Sequence, residues 1–215
     1  MNSESAPTTQ RRGPRSAGDP AAREAILQAA QVEFDEHGYT GTTLRAVAAR
    51  AAVDVALVSY YFGAKDNLFR ETVGYPIAPK VLVEESLGVP LEELGREMVR
   101  QVLTAWGDPG VVTAMRGIVQ LKVTNQDNWA SLSEFYREII LRPIVDALGG
   151  GPEGEYRAAM ASTPLIGLVV ARYLVEAPAV RDAPIEHLIE SVGADVQRWL
   201  TGPGPLPPST ATGPG

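Results

Sequence analysis

The sequence predicts an all-α protein: a small N-terminal unit of three helices followed by a larger helical domain. Three observations predict it. Apolar residues between positions 19 and 201 recur at helical spacing. The segments so defined are parted by Gly- or Pro-containing breaks at Gly38, Gly63, Asp108-Pro109-Gly110, Gly149-Gly150-Gly151-Pro152 and Ala177-Pro178. No stretch alternates apolar and polar residues as a half-buried strand does.

Residues 1–18 are rich in Ser, Thr, Pro and Gly, lack hydrophobic periodicity, and are expected to be a disordered arm. That arm carries Arg11, Arg12 and Arg15 in a stretch without acids. Asp19-Pro20 then reads as a helix start, with Asp capping free N–H groups and Pro at the first helical position. Ile26, Leu27, Ala30 and Phe34 form its apolar stripe, and Gly38 stops it. Thr42 and Thr43 can cap the second helix, whose Leu44, Val47, Ala48 and Ala51 follow one face. Asp54 caps a third helix from about Val55 to Tyr61. Gly63 separates it from a fourth bearing Leu68, Phe69 and Val73, after which Pro76 and Pro79 interrupt the chain. Domain boundaries are therefore expected at 19–75 and 76–201, with 202–215 a Gly/Pro-rich tail.

In the second domain helices are expected near 90–106, 111–124, 129–148, 153–177 and 184–200. Pro143 and Pro164 fall inside these patterns and are expected to kink or split their helices. The last two helices are apolar on more than one side. One face can pack on the domain, and the surplus face calls for a partner. A two-fold homodimer through Leu165, Val169, Leu188, Val192, Val196 and Trp199 is the expectation.

Composition removes several function classes. With no cysteine there is no disulfide framework, thiolate zinc site or cysteine nucleophile. His37 and His187 are the only histidines and form no ligand pair at helical spacing, so no metal is expected. Gly149-Gly150-Gly151 lacks a following Lys-Ser/Thr and reads as a loop. No Gly-x-Ser-x-Gly elbow occurs, so neither a catalytic residue nor a cofactor is assigned. The longest apolar runs are too short to span a bilayer, and the N-terminus lacks an apolar signal core. A soluble cytoplasmic protein follows. The formal charge of −7 is uneven: residues 1–75 hold 8 basic and 9 acidic residues, and 76–215 hold 11 and 17. Any surface for a polyanion must therefore be local, with the acidic body turned away.

Thr42 to Leu68 is the informative segment. Two short helices are separated by a tight turn, and Ala48, Ala49, Ala51 and Ala52 let them approach closely. The second can then be offered to a DNA major groove. Tyr60 and Tyr61 at its end suit phosphate oxygens, and Lys65 adds charge at the next helix start. The anchors Phe34-(three residues)-Gly38-Tyr39, Thr42-Thr43, Val47-Ala48, Val53-Asp54, Tyr61-Phe62 and Lys65-(two residues)-Leu68 resemble the signature of the tetracycline-repressor (TetR) family. The remainder is similar, more loosely, to an actinobacterial subset, through Asp54-(one residue)-Ala56-Leu57-Val58, Phe62-Gly63-(one residue)-Lys65, Trp106-(one residue)-Asp108-Pro109 and Gly167-Leu168-(three residues)-Arg172-Tyr173.

The resemblance implies a helix-turn-helix DNA-binding domain, a C-terminal ligand-binding and dimerisation domain, and a repressor released from a palindromic operator by a small molecule. It implies DNA contacts at Thr42, Thr43, Arg45, Val55, Ala56, Ser59, Tyr60, Tyr61 and Lys65, with Arg45 placed to read a base edge. Two departures stand out. Ala52 occupies the turn position where glycine is usual, and Ser59 replaces a tyrosine. An effector cavity is implied among Trp106, Met115, Arg116, Gln120, Trp129, Tyr136 and Tyr173. The alternatives are a regulator without an effector, an activator, or a helical enzyme or carrier using the second domain's cavity.

Overall fold

The computed structural model describes residues 19–124 and 129–203, with the side chains of 119–129 outside it. The arm with Arg11, Arg12 and Arg15, most of the tail, and the side chains of Gln120 and Trp129 therefore lie outside the described residues. The described residues are helical throughout, as the sequence predicts.

Helix α1 spans Pro20–Gly41. The Asp19 carboxylate accepts from the Ala21 N–H at 2.9 Å, and Pro20 takes the first position. Gly38 breaks the helix with φ 72° and ψ 175°, folding Tyr39 back into the core. Thr43 caps α2 (Leu44–Ala51), and Asp54 caps α3 (Val55–Phe62). Between them Ala52 is left-handed at φ 53°, the strained conformation its place in the turn predicts. Gly63, at φ 70°, leads into α4 (Lys65–Thr72).

The second domain adds α5 (Pro79–Ser86), α6 (Leu94–Trp106), α7 (Pro109–Thr124), α8 (Trp129–Phe135) and α9 (Arg142–Ala147). Then come α10 (Gly151–Val169), α11 (Pro178–Arg181) and α12 (Ile185–Thr201). The sequence reading missed α5 and α11. Pro79 and Pro178 were read as breaks, yet each stands in a first turn, where a missing N–H costs nothing. A π-helical stretch, Tyr136–Leu141, joins α8 to α9 and delivers Pro143 to the first turn of α9, so this proline is absorbed without a separate kink. Pro164 does not split α10, which runs on to a π-helical stretch at Val170–Leu174.

Three hydrophobic clusters hold the described residues, the third centred on Ile77, Trp106 and Met115. In the first, the Phe34 and Phe69 rings meet edge-on at 4.8 Å, and Tyr39 lies 5.2 Å from both Phe69 and Phe135. Phe135 belongs to α8, so the N-terminal core recruits a residue from the second domain. In the second core α12 packs against both α6 and α10. The crossing is close because Gly95 and Gly193 face each other: a Cβ on Gly95 would stand 2.5 Å from the Gly193 carbonyl oxygen.

Within the chain, that packing already engages the side chains expected at the dimer surface. Leu165, Leu188 and Val196 are buried in the second core, with Val192 and Trp199 packed on it and Val169 packed beside Trp106. The large apolar side chains exposed here are Ile166 on α10, Val170 at the start of the π-helical stretch that follows it, and Ile185 on α12. Among the described residues, no helix is long and apolar enough to cross a membrane.

Candidate nucleic-acid interface

The outward surface of α2 and α3 is set by what their inward faces bury. Val47, Ala48 and Ala51 of α2, and Leu57, Val58 and Phe62 of α3, point into the first core. The opposite faces leave Thr43, Arg45, Val55, Ala56, Ser59 and Tyr60 exposed, with Tyr60 65% accessible. Six of the nine sequence-predicted contact residues thus share one accessible surface.

The other three have internal duties. Thr42 is buried, and its hydroxyl serves the carbonyls of Gly38 at 2.8 Å and Glu33 at 2.9 Å, so it fastens the end of α1 rather than facing a ligand. The Tyr61 hydroxyl donates to the Asp19 carbonyl at 3.0 Å, pinning the start of α1 to the end of α3. Lys65 turns inward too. Its ammonium donates to the carbonyls of Tyr39 at 2.9 Å, Thr42 at 3.2 Å and Thr40 at 3.4 Å, and sits 4.5 Å from the Tyr39 ring centre. An ammonium has three N–H donors, and all three are committed. Burial lowers its pKa, and Glu134 and Glu138 pull it back. Lys65 is a clamp on the carbonyl-bearing end of α1, where a cation is favoured. Its position in the motif gave no sign of this, because the carbonyls it meets are brought there by the Gly38 bend.

The cations of residues 19–75 sort the same way. Arg23 pairs with Glu71, and Arg50 spans Glu33 and Glu36. Arg70 faces the Tyr75 carbonyl and Glu71. Arg50 also crosses the one grouping of possible metal-ligating atoms among the described residues, Glu33, Glu36 and His37. Arg45 alone has neither an ion pair nor a capping contact among the described residues. An exposed, uncommitted guanidinium on α2 is free to reach a phosphate or a guanine edge.

The second domain is joined to this unit through α8. Ser131 donates to the Phe34 carbonyl at 2.7 Å, and Glu134 accepts from the Thr40 N–H at 2.7 Å. That backbone N–H is the chief reason the Glu134 pKa is lowered. A Cβ on Gly38 would lie 2.8 Å from the same carboxylate, so glycine serves both the bend and the contact.

An apolar cavity of about 120 Å³ lies between the α4–α5 connector, α5, α6, the Tyr136–Leu141 stretch and α10. Of the expected effector residues whose side chains are described, it contains Trp106 alone. Met115 is core packing beside Trp106, and Tyr173 stacks on the Trp106 indole at 5.8 Å without lining the cavity. Arg116 clamps the Tyr173 carbonyl at 2.7 Å and pairs with Glu176. Tyr136 lines a separate charged surface groove beside Arg137 and Glu138. Missed by the sequence reading were the connector residues Tyr75 and Ile77, and Leu165, which was assigned to the dimer. The aromatic residue at 75, between Gly74 and Pro76 and outside every expected helix, was the available signal.

Comparison with known proteins agrees with this architecture. A family model described as "Tetracyclin repressor-like, C-terminal domain" matches residues 92–200, just over half of the chain. A second, "Bacterial regulatory proteins, tetR family", matches residues 26–72. The HTH-type transcriptional regulator BetI of Paraburkholderia xenovorans is 41% identical over 51 residues, which are 24% of this chain and 26% of that protein. The HTH-type transcriptional dual regulator CecR of Shigella flexneri is 27% identical over 129 residues, covering 57% and 52%. The chain thus spans from a quarter to half of the length of these curated relatives. A TetR-family regulator of Streptomyces coelicolor has 30% identity over 87% of this chain and 99% of its own, with a TM-score of 0.48.

Proposed function

The chain belongs to the TetR family of bacterial regulatory proteins, and from that premise we propose that it is a homodimeric repressor that binds a palindromic operator and is released by a small molecule. The observation that carries the DNA-contacting part is the α2–α3 surface. It presents Arg45 as the one uncommitted cation of residues 19–75, beside exposed Thr43, Val55, Ala56, Ser59 and Tyr60. A short helix with small apolar side chains at its start fits a major groove and can meet thymine methyl groups, while Arg45 supplies the polar readout. The Tyr61 bond to Asp19 holds the start of α1 beside the end of α3.

Dimerisation through the outer face of α10 and the π-helical stretch after it, where Ile166 and Val170 are exposed, supplies the two-fold symmetry that a palindrome requires. Release follows if a molecule in the second domain alters the spacing of the two DNA heads. The connector between α4 and α5 forms one wall of the apolar cavity, which places such a molecule against the segment leading to the DNA-binding unit. The similar proteins come from Paraburkholderia and Shigella as well as Streptomyces, so the grouping extends no further than the family.

Selection of bound fragments from a random DNA pool tests the proposal. A recovered sequence with two-fold symmetry and half-sites about one helical turn apart is the expected result. A pool that shows no enrichment would overturn sequence-specific binding.

A further inference from the structure

We propose that the effector is a compact, uncharged, mainly apolar molecule with one hydrogen-bond acceptor, and that Tyr75 is the residue that recognises it; this rests on the effector-release reading. The cavity's twelve lining residues include no Asp, Glu, Lys, Arg or His. An ion seated against these walls would find no counter-charge among them to offset the hydration it gives up. The volume, about 120 Å³, suits one small ring, since an apolar cavity of roughly 150 Å³ accepts benzene.

Four lining side chains carry a polar group: the Trp106 indole is stacked on Tyr173, and two of the others are already engaged. Ser86 donates to the Leu82 carbonyl at 2.7 Å, and the Gln101 amide donates to Glu97 at 2.8 Å. The Tyr75 hydroxyl makes no hydrogen bond among the described residues, although burial raises its pKa and keeps it a neutral donor. A ligand carbonyl or hydroxyl oxygen would complete it. The backbone of Tyr75 also closes the end of α4: its N–H donates to the Arg70 carbonyl at 2.8 Å, and its own carbonyl accepts from Arg70 at 3.4 Å. A molecule seated against this ring therefore bears on the helix that carries Leu68 and Phe69 into the DNA-binding core.

The test uses the full chain and three probes of similar size: cyclohexanone, methylcyclohexane and hexanoate. Binding is followed by calorimetry, and retention is measured on the operator recovered from the DNA pool. The expected result is that cyclohexanone and methylcyclohexane bind and hexanoate does not. Tyr75→Phe should weaken cyclohexanone roughly three- to tenfold and leave methylcyclohexane unchanged, which also shows that the variant is folded. Tighter binding of hexanoate than of cyclohexanone, or equal binding of cyclohexanone by both proteins, overturns the proposal. If the predicted binding pattern holds and cyclohexanone leaves the protein on its operator, the site stands and the release reading fails. If no operator is recovered, DNA recognition has failed independently of the binding result.

Discussion

Arg45 and Lys65 are both basic residues in the same short motif, yet the structure gives them opposite tasks. Arg45 is exposed and uncommitted among the described residues, whereas the three N–H donors of Lys65 are spent on backbone carbonyls. Arg45→Ala is expected to leave the melting temperature unchanged, cost about 1–3 kcal/mol on the operator, and relax preference at one base pair per half-site. Lys65→Ala is expected to lower the melting temperature and weaken operator and random DNA alike, with an unchanged slope of log affinity against log salt. A slope that flattens by about one per half-site would make Lys65 a phosphate contact instead. Ala52 carries a different kind of cost. Its left-handed backbone is held by Ala52 and Val53 N–H bonds to the end of α2. Ala52→Gly should raise stability by about 1 kcal/mol in denaturant titration, with operator affinity intact.

At the scale of elements, the α6–α12 crossing depends on two absent side chains. A Cβ on Gly193 would come 2.9 Å from the Arg96 Cα, and one on Gly95 would meet the backbone of Gly193 and Gln197. Backbone cannot move aside as a flexible side chain can. Gly95→Ala or Gly193→Ala should therefore separate the helices and cost about 1–3 kcal/mol. It should also disturb the Gln197 contacts, which accept from the Gly95 N–H at 2.8 Å and donate to the Leu91 carbonyl at 2.9 Å. Gly117 of α7 is the control, because nothing among the described residues lies within 4 Å of its added Cβ. Gly117→Ala should stabilise by about 0.5–1 kcal/mol. Thermal or chemical unfolding of the three variants decides whether crowding or helix propensity dominates.

For the whole molecule the question is how the two domains of a chain, and the two chains of the proposed dimer, act as one. Within the chain, α8 ties the domains through Ser131, Glu134 and Phe135, and the α4–α5 connector ties them again through Tyr75. Between chains, the exposed Ile166 and Val170 are the proposed meeting surface. Ile166→Glu combined with Val170→Glu should yield a monomer in sedimentation at micromolar concentration. It should bind isolated half-sites and lose the affinity gained by engaging two at once. Disruption by Val192 or Trp199 variants that leaves this double variant dimeric would place the interface elsewhere.

Much of this was determined by the sequence alone. Helical periodicity, Asp19, Thr43 and Asp54 as caps, and Gly38 and Gly63 as breaks set the elements of the N-terminal unit, because those signals act within a turn of chain. The motif spacing likewise located the α2–α3 surface and the strained Ala52. Only the tertiary structure decided which face of each second-domain helix points inward. α10 is apolar on more than one side, and adjacent residues on a helix differ by about 100°, so Leu165 lines the cavity while Ile166 faces out. The tertiary structure also decided that Lys65 faces the core unit, since its carbonyl partners lie 23 to 26 positions away and meet it only after the Gly38 bend. Tyr75 belonged to a connector in the sequence and became a cavity wall because α5, α6 and α10 close around it, a long-range packing event that no local pattern encodes.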